Sequence, residues 1–273
     1  IEKFPFLDPP DAAAIRDGYE TLFELGAIDS TRPDAALTPI GRDMARVPLD
    51  PRIARMLLAA EHEQALEETL VLAAALEIQD PRQRPLGRQD EADRSQIVFQ
   101  HPSSDFLTLL NIWEQFRHAA ATMTHGALAG WCREHFLSLP RMREWTEMVG
   151  QLRGVAGDLG LRLPRRDDQR GRLASDDAIH RALLTGLITH VACREGDGSF
   201  DYRGVRGNTV QIFPGSVLFK KGPKWIMAAE VVHTSRLFAR TVARIDPQWI
   251  EELAGHMFKP QLTDHHLDPD PGE

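Results

Sequence analysis

Apolar side chains fall at helical spacing through the first two thirds of the chain and change to strand-like alternation near residue 188. In residues 11–25, Ile15, Tyr19, Leu22, Phe23 and Leu25 lie near one helical face, and Gly26 stands just past the end, where a left-handed residue stops a helix. Thr38 before Pro39, and Asp50 before Pro51, each supply an N-cap and a first-turn proline, so two more helices begin there, and Pro48 keeps them apart. A fourth helix is expected over 64–78 around Leu66, Leu70 and Leu76. The next stretch, DPRQRPLGRQDEADRS, is charged, carries prolines and shows no period, which predicts an exposed loop. Ser103 or Ser104 caps a helix over about 105–121 striped by Phe106, Leu109, Leu110, Trp113 and Phe116. Thr124 caps another, holding Leu128, Trp131, Cys132 and Leu137. Pro140 then opens a long helix to Gly160 with Met142, Trp145, Val149, Leu152 and Val155 inward.

The segment LPRRDDQRGRLAS is polar and of mixed charge and predicts a linker over 163–175, after which Ser175 caps a helix ending near Gly186. ITHVACRE, SFDYRGV, TVQIFP, SVLFKK, KWIMAAEVVHTS and LFARTVARI are β-branched and aromatic, and Gly or Pro separates several of them. About five strands so closely spaced predict a small closed barrel, with Val210 and Ile212 on the opposite face from Thr209 and Gln211. An Asp-Pro cap at 246 starts a closing helix, and the tail from Pro260, rich in Pro, Asp and His, is expected to be disordered. The fold class is α+β multidomain: short helices over 1–50, a bundle over 51–162, the linker, a barrel with flanking helices over 176–259, and the tail.

A chain of 273 residues with 42% apolar side chains can bury two or three cores. Cys132 and Cys193 form neither a metal spacing nor a disulfide framework, which fits a reducing cytoplasm. The run LVLAAAL at 70–76 is far shorter than the ~18 residues a membrane span requires, so no membrane partner is expected. The chain opens with Ile1 and lacks a secretion signal, and reads as a piece of a longer protein. Its net charge of −8 hides a segregation: from Arg203 to Arg244 eight basic residues face one acid, Glu230, for a net of +7, and the remaining residues together carry −15. Such a window predicts a directed groove for a polyanion, against the alternative of a basic strand region paired with the chain's own acidic helices.

No phosphate-cradling G-x-x-x-x-G-K-[ST] or G-x-G-x-x-G occurs, and no G-x-S-x-G elbow, so neither ATP hydrolysis nor nucleophilic catalysis is expected of this chain alone. His265 and His266 with Asp264, Asp268 and Asp270 carry metal-binding donors, but a flexible tail must be ordered to use them, and no metal or cofactor site is assigned.

The blocks FPFLDPPD (4–11), LTPIGRDMARVPLDPRIARML (37–57), SDFLTLLNIW (104–113), WCREHFLSLPRMREW (131–145) and IFPGSVLFKKGPKWIMAAEVVHTSRLFARTVARIDPQWIE (212–251) together resemble the C-terminal region of DEAH-box RNA helicases, most nearly the bacterial HrpA type. The resemblance spans residues 4 to about 258 in the same order. It implies a winged-helix domain, a helical ratchet domain and an OB-fold downstream of two RecA-like motor domains, which would bind ATP and Mg. It further implies that this piece closes a tunnel holding single-stranded RNA against those motor domains. Two departures stand out: Pro140 occupies a place where eukaryotic relatives carry Arg, with Arg141 and Arg143 just beyond, and LTDHHLDPDPGE does not resemble the start of the extension that HrpA-type proteins carry.

Gripping a phosphate backbone without reading bases requires cations, hydrogen-bond donors and stacking surfaces. By position the RNA-binding candidates are Arg206 and Asn208 in RGVRGN, Lys220, Lys221 and Lys224 in FKKGPKW, Thr234, Ser235 and Arg236 in HTSR, and Arg141 and Arg143 in the bundle. Phe213, Phe219, Trp225 and Phe238 suit a barrel core better than a stacking platform. The competing function is a protein-docking platform for a regulator or a ribosomal partner without RNA affinity of its own.

Overall fold

The computed structural model of the chain describes residues 7–8, 10–163, 174–196, 198–205 and 207–257. Residues 164–173 of the expected linker, Arg206, and the tail with His265 and His266 lie outside the described residues.

The capping chemistry forms at each helix start where the sequence places it. Thr38 Oγ1 accepts from Gly41 N at 3.0 Å, Asp50 from Arg52 N at 2.8 Å, Ser104 from Leu107 N at 3.2 Å and Ser175 from Ala178 N at 3.2 Å. Helix α1 (Ala12–Glu24) ends at Gly26 with φ 72°, and α2 (Pro39–Met44) returns beside it through the Ile28–Leu37 bridge. These elements bury Leu25, Ala27, Met44 and Val47 against Ala54 of α3 (Pro51–His62), forming a small core of their own.

The larger core gathers α3, α4 (Leu66–Glu77), α6 (Asp105–Thr122), α7 (His125–Glu134), α8 (Leu139–Asp158) and α9 (Asp176–Gly186). Trp145 is fully buried there and donates from its indole nitrogen to the Val71 carbonyl at 2.8 Å. Helices α3 and α9 cross closely because position 186 is glycine; a Cβ there would stand 2.5 Å from the Arg52 carbonyl oxygen. Leu137, expected inside α7, follows it instead and pairs with Arg82 in an isolated bridge.

Two expectations are corrected. The stretch read as an exposed loop contains α5 (Gln89–Gln96), which has one buried apolar residue, Ala92, and so shows no stripe. Ion pairs Arg84–Asp93 at 2.7 Å and Arg88–Glu91 at 2.8 Å flank it, and Ser95 reaches the Glu134 carbonyl at 2.7 Å. SVLFKK, read as a strand, belongs to a segment of turns, because Val217 donates its backbone N–H to the Asp105 side chain rather than to a ladder.

The strands β1 (Val191–Arg194), β2 (Asp201–Gly204), β3 (Thr209–Ile212), β4 (Trp225–His233) and β5 (Leu237–Arg244) close in the order β1-β2-β3-β5-β4. All pairs are antiparallel except β3 with β5. Tyr202, Val210, Ile226, Ala228, Ala239 and Val242 fill the interior. After β5, α10 (Pro247–Leu253) and a 3-10 turn bring His256 back to α1, where Nε2 lies 3.0 Å from the Phe23 carbonyl oxygen.

Candidate nucleic-acid interface

Strand reversal distributes the basic window. Successive connections in the barrel alternate between its two ends, so the β2–β3 turn and the β4–β5 hairpin share one end, and the long β3–β4 segment, 213–224, lies at the other. Asn208, Thr234, Ser235 and Arg236 stand exposed at the hairpin end. Lys220, Lys221 and Lys224 stand exposed at the loop end. Strand β4 runs between these ends from Trp225 to His233, up to about 26 Å at ~3.3 Å per residue. The window therefore does not form one continuous strip: three lysines gather at the loop end, and Arg236 with polar neighbours stands at the hairpin end.

At the loop end, the Lys221 ammonium donates to the Pro102 carbonyl at 3.1 Å, and Lys220 Nζ sits 5.3 Å from the Phe219 ring centroid. Lys220 has φ 63°, left-handed backbone that a side chain adopts at a cost of about 1 kcal/mol or more. Lys224 ends the segment, its carbonyl accepting from Arg194 N at 2.9 Å.

The N-terminus of α6 fixes this segment. Asp105, 2% exposed, accepts from Val217 N at 2.9 Å through Oδ1 and from Val242 N at 2.8 Å through Oδ2. Ser103 O accepts from Arg244 N at 3.1 Å, and the Ser104 hydroxyl lies 2.8 Å from the His180 ring. Four consecutive residues, Pro102 to Asp105, thus tie the helical bundle to the barrel, Ser104 through an isolated bridge to Ala243.

Between the two lies a cleft of about 970 Å³. One wall carries Asp80, Arg82, Arg84, Arg94 and Arg141, and the other Phe213, Glu230, Arg240 and Thr241. Arg141, a predicted site residue, faces the cleft and donates to the Asp80 carbonyl at 2.9 Å. Arg143 points elsewhere, to the ring nitrogen of His125. Burial disfavours the Asp80 charge, but Arg82, at 2.7 Å, and Arg141 outweigh it and hold the carboxyl below its ordinary value. The Asp80–Arg82 pair therefore stabilises the wall at neutral pH and is lost only as pH falls through that depressed value.

Three cleft residues escaped sequence reasoning in this role. Arg240 lies 4.4 Å over the Phe213 ring, 3.8 Å from Glu230, and Phe213 meets Phe238 edge-on at 5.9 Å. Phe213, Phe238 and Trp225 are half-buried and Phe219 is exposed, and of the four only Trp225 packs against the main core. Thr241 has φ 50°, rare for a β-branched residue, and the β4–β5 ladder skips Ala229 opposite it. The Ala229 carbonyl accepts instead from His190 Nδ1 at 3.0 Å. The positive charge of Arg240 was visible in the sequence, but its stacking on Phe213 was not.

Among the described residues no group of three His, Cys, Asp or Glu side chains could hold a metal ion. No described helix is long and apolar enough to cross a membrane.

Three family models match the chain in order: a helicase associated domain (HA2), winged-helix, over 19–49; a helicase associated domain (HA2), ratchet-like, over 50–109; and an oligonucleotide/oligosaccharide-binding (OB) fold over 179–257. The chain is 41% identical over 97% of its length to the ATP-dependent RNA helicase HrpA of Escherichia coli and 40% identical over 95% to the HrpA homolog of Haemophilus influenzae. It is 32% identical over 94% of its length to the pre-mRNA-splicing factor ATP-dependent RNA helicase prp22 of Schizosaccharomyces pombe. It spans about a fifth of each of these relatives, 20%, 20% and 21%.

Proposed function

The chain belongs to the C-terminal, helicase-associated region of HrpA-type DEAH-box RNA helicases, and on that premise we propose that it grips single-stranded RNA against the RecA-like motor domains of the whole protein. ATP with Mg, hydrolysis and unwinding belong in this reading to those motor domains, since this sequence has no loop to cradle nucleotide phosphates. The observation that carries the reading is the cleft, with Arg141 of the bundle and Arg240 of the barrel on its two walls. Segment 213–224 contributes Phe213 to Val217 to one wall and then presents Lys220 and Lys221.

In this mechanism Arg141 and Arg240 neutralise phosphates in the cleft and Lys220, Lys221 and Lys224 those beyond it at the loop end, while Asn208, Thr234, Ser235 and Arg236 hold the strand at the hairpin end. The asymmetry suits a polyanion: cationic loops attract it, and the acidic remainder of the surface repels it from other paths. Affinity of this kind falls with salt because bound phosphates release counterions.

The test is fluorescence anisotropy of the chain with a ten-nucleotide oligo-U RNA at low and moderate salt. Lys220→Glu with Lys221→Glu is expected to weaken binding and reduce the log-log salt slope by about 1.4, two contacts at ~0.7 each. Both lysines are exposed, and the exchange removes the Lys221 hydrogen bond to the Pro102 carbonyl, so the pair should cost about 1 kcal/mol of stability. An unchanged slope removes the lysines from the site, and absence of binding at low salt in the unaltered chain favours the protein-docking alternative.

A further inference from the structure

The hairpin end of the barrel opens on a second cavity, separate from the cleft and of about 160 Å³. Its floor is the barrel interior, including Val210, Ile226 and Ala228, which are at most 2% exposed. Its rim is polar: Arg52 from the first turn of α3, Thr189, His190, and Asn208 from the β2–β3 turn. Asn208 folds its amide back over Gly204, so that a Cβ on that glycine would stand 2.4 Å from Oδ1. Neither the Arg52 guanidinium nor the Asn208 amide hydrogen-bonds to another group among the described residues.

We propose that this cavity takes one extruded pyrimidine base of the bound strand, with the Asn208 amide on the base's hydrogen-bonding edge and Arg52 on the adjoining phosphate. Size decides between base classes. A protein cavity of about 150 Å³ accepts a single six-membered ring such as benzene, so a pyrimidine fits the observed space and the fused rings of a purine overfill it. The rim decides between a base and an apolar aromatic side chain. An amide offers both a donor and an acceptor to the edge of uracil or cytosine, and a guanidinium matches phosphate geometry. An apolar ring would leave both groups unanswered. The inference rests on the single-stranded RNA reading and adds to it a preference among bases, which a pure backbone grip lacks.

The test titrates the isotope-labelled chain with UMP, CMP, AMP and inorganic phosphate by NMR, alongside anisotropy with oligo-U and oligo-A RNA. UMP and CMP should shift the Asn208 side-chain amide and the Gly204 and Ala228 backbone amides, and AMP should not. Oligo-U should bind about tenfold more tightly than oligo-A, the equivalent of one or two net hydrogen bonds. Ala228→Leu, which fills the floor, should abolish that preference while leaving oligo-A affinity intact, and Asn208→Ala should abolish it while also lowering affinity for both RNAs. Gly204→Ala, which displaces the Asn208 amide from the rim without altering the floor, should abolish the preference by an independent route. Equal responses to UMP, AMP and phosphate reduce the cavity to an anion site and overturn the proposal. Salt-sensitive oligo-U binding with no UMP response overturns it while the RNA grip stands, and UMP binding without oligonucleotide binding supports the pocket while the grip fails.

Discussion

Asp105→Ala is expected to lower stability by about 3–5 kcal/mol, because it removes a buried charge acceptor and strands two backbone donors in an apolar junction. Both carboxylate oxygens are engaged, Oδ1 by Val217 N at 2.9 Å and Oδ2 by Val242 N at 2.8 Å. The position is also the first residue of α6, where negative charge meets the positive end of the helix dipole. Asp105→Asn should recover little, since its amide group would face one N–H with another donor. Thermal unfolding is the measurement, with an expected fall on the order of 10 °C. The substitution acts on function through the same contacts: freeing Val217 releases the segment that presents Lys220 and Lys221, so oligo-U affinity should fall with the melting temperature. A variant that melts like the unaltered chain would show the staple to be dispensable.

Gly41→Ala should destabilise the N-terminal helical unit by about 2–3 kcal/mol, the reverse of the usual effect of alanine inside a helix. A Cβ at Gly41 would stand 1.9 Å from the Ala27 carbonyl oxygen, a backbone atom held where it is by the Thr38 N–H at 3.0 Å. The new atom can be accommodated only by prising α2 from the strand-like turn beside it, which opens the core formed by Leu25, Met44 and Val47. Gly154→Ala is the control: that position lies in α8 with no atom within 4 Å of the added carbon, and should gain up to about 1 kcal/mol. Urea denaturation of both variants measures the sign directly. A stabilised Gly41→Ala chain would mean that the close approach of α2 to residue 27 is not maintained in solution.

The two effects share an origin in contacts that no local pattern encodes. Gly41 is an unremarkable helical residue until α2 is laid against Ala27, and Asp105 is an ordinary first-turn acid until the barrel arrives. The same holds for α5. Its residues carry no apolar stripe, so periodicity read them as a loop; ion pairs across the turn and the Ser95 and Gln96 side chains, reaching the carbonyls of Glu134 and Phe136, hold the helix in place. SVLFKK failed in the other direction. Its apolar residues suit a strand, but the Val217 N–H that a ladder would have used is given to Asp105.

What the sequence determined by itself is what short-range chemistry can write. Caps at Thr38, Asp50, Ser104 and Ser175 set helix starts, since a side-chain oxygen and an N–H two or three residues away need no outside partner. Apolar stripes set the inward faces of α6 and α8, and the closely spaced β-branched segments foretold a small closed barrel. The ordered blocks resembling DEAH-box helicases were legible because they are strings of residues. The tertiary structure alone decided how the charges are used. Alternating strand directions sent Asn208 and Arg236 to one end of the barrel and Lys220 and Lys221 to the other. The cleft and the small cavity exist only because side chains up to 137 positions from their partners join the bundle to the barrel. Such pairings are fixed by burial and by the satisfaction of buried polar groups across the whole molecule, and no window of sequence contains them.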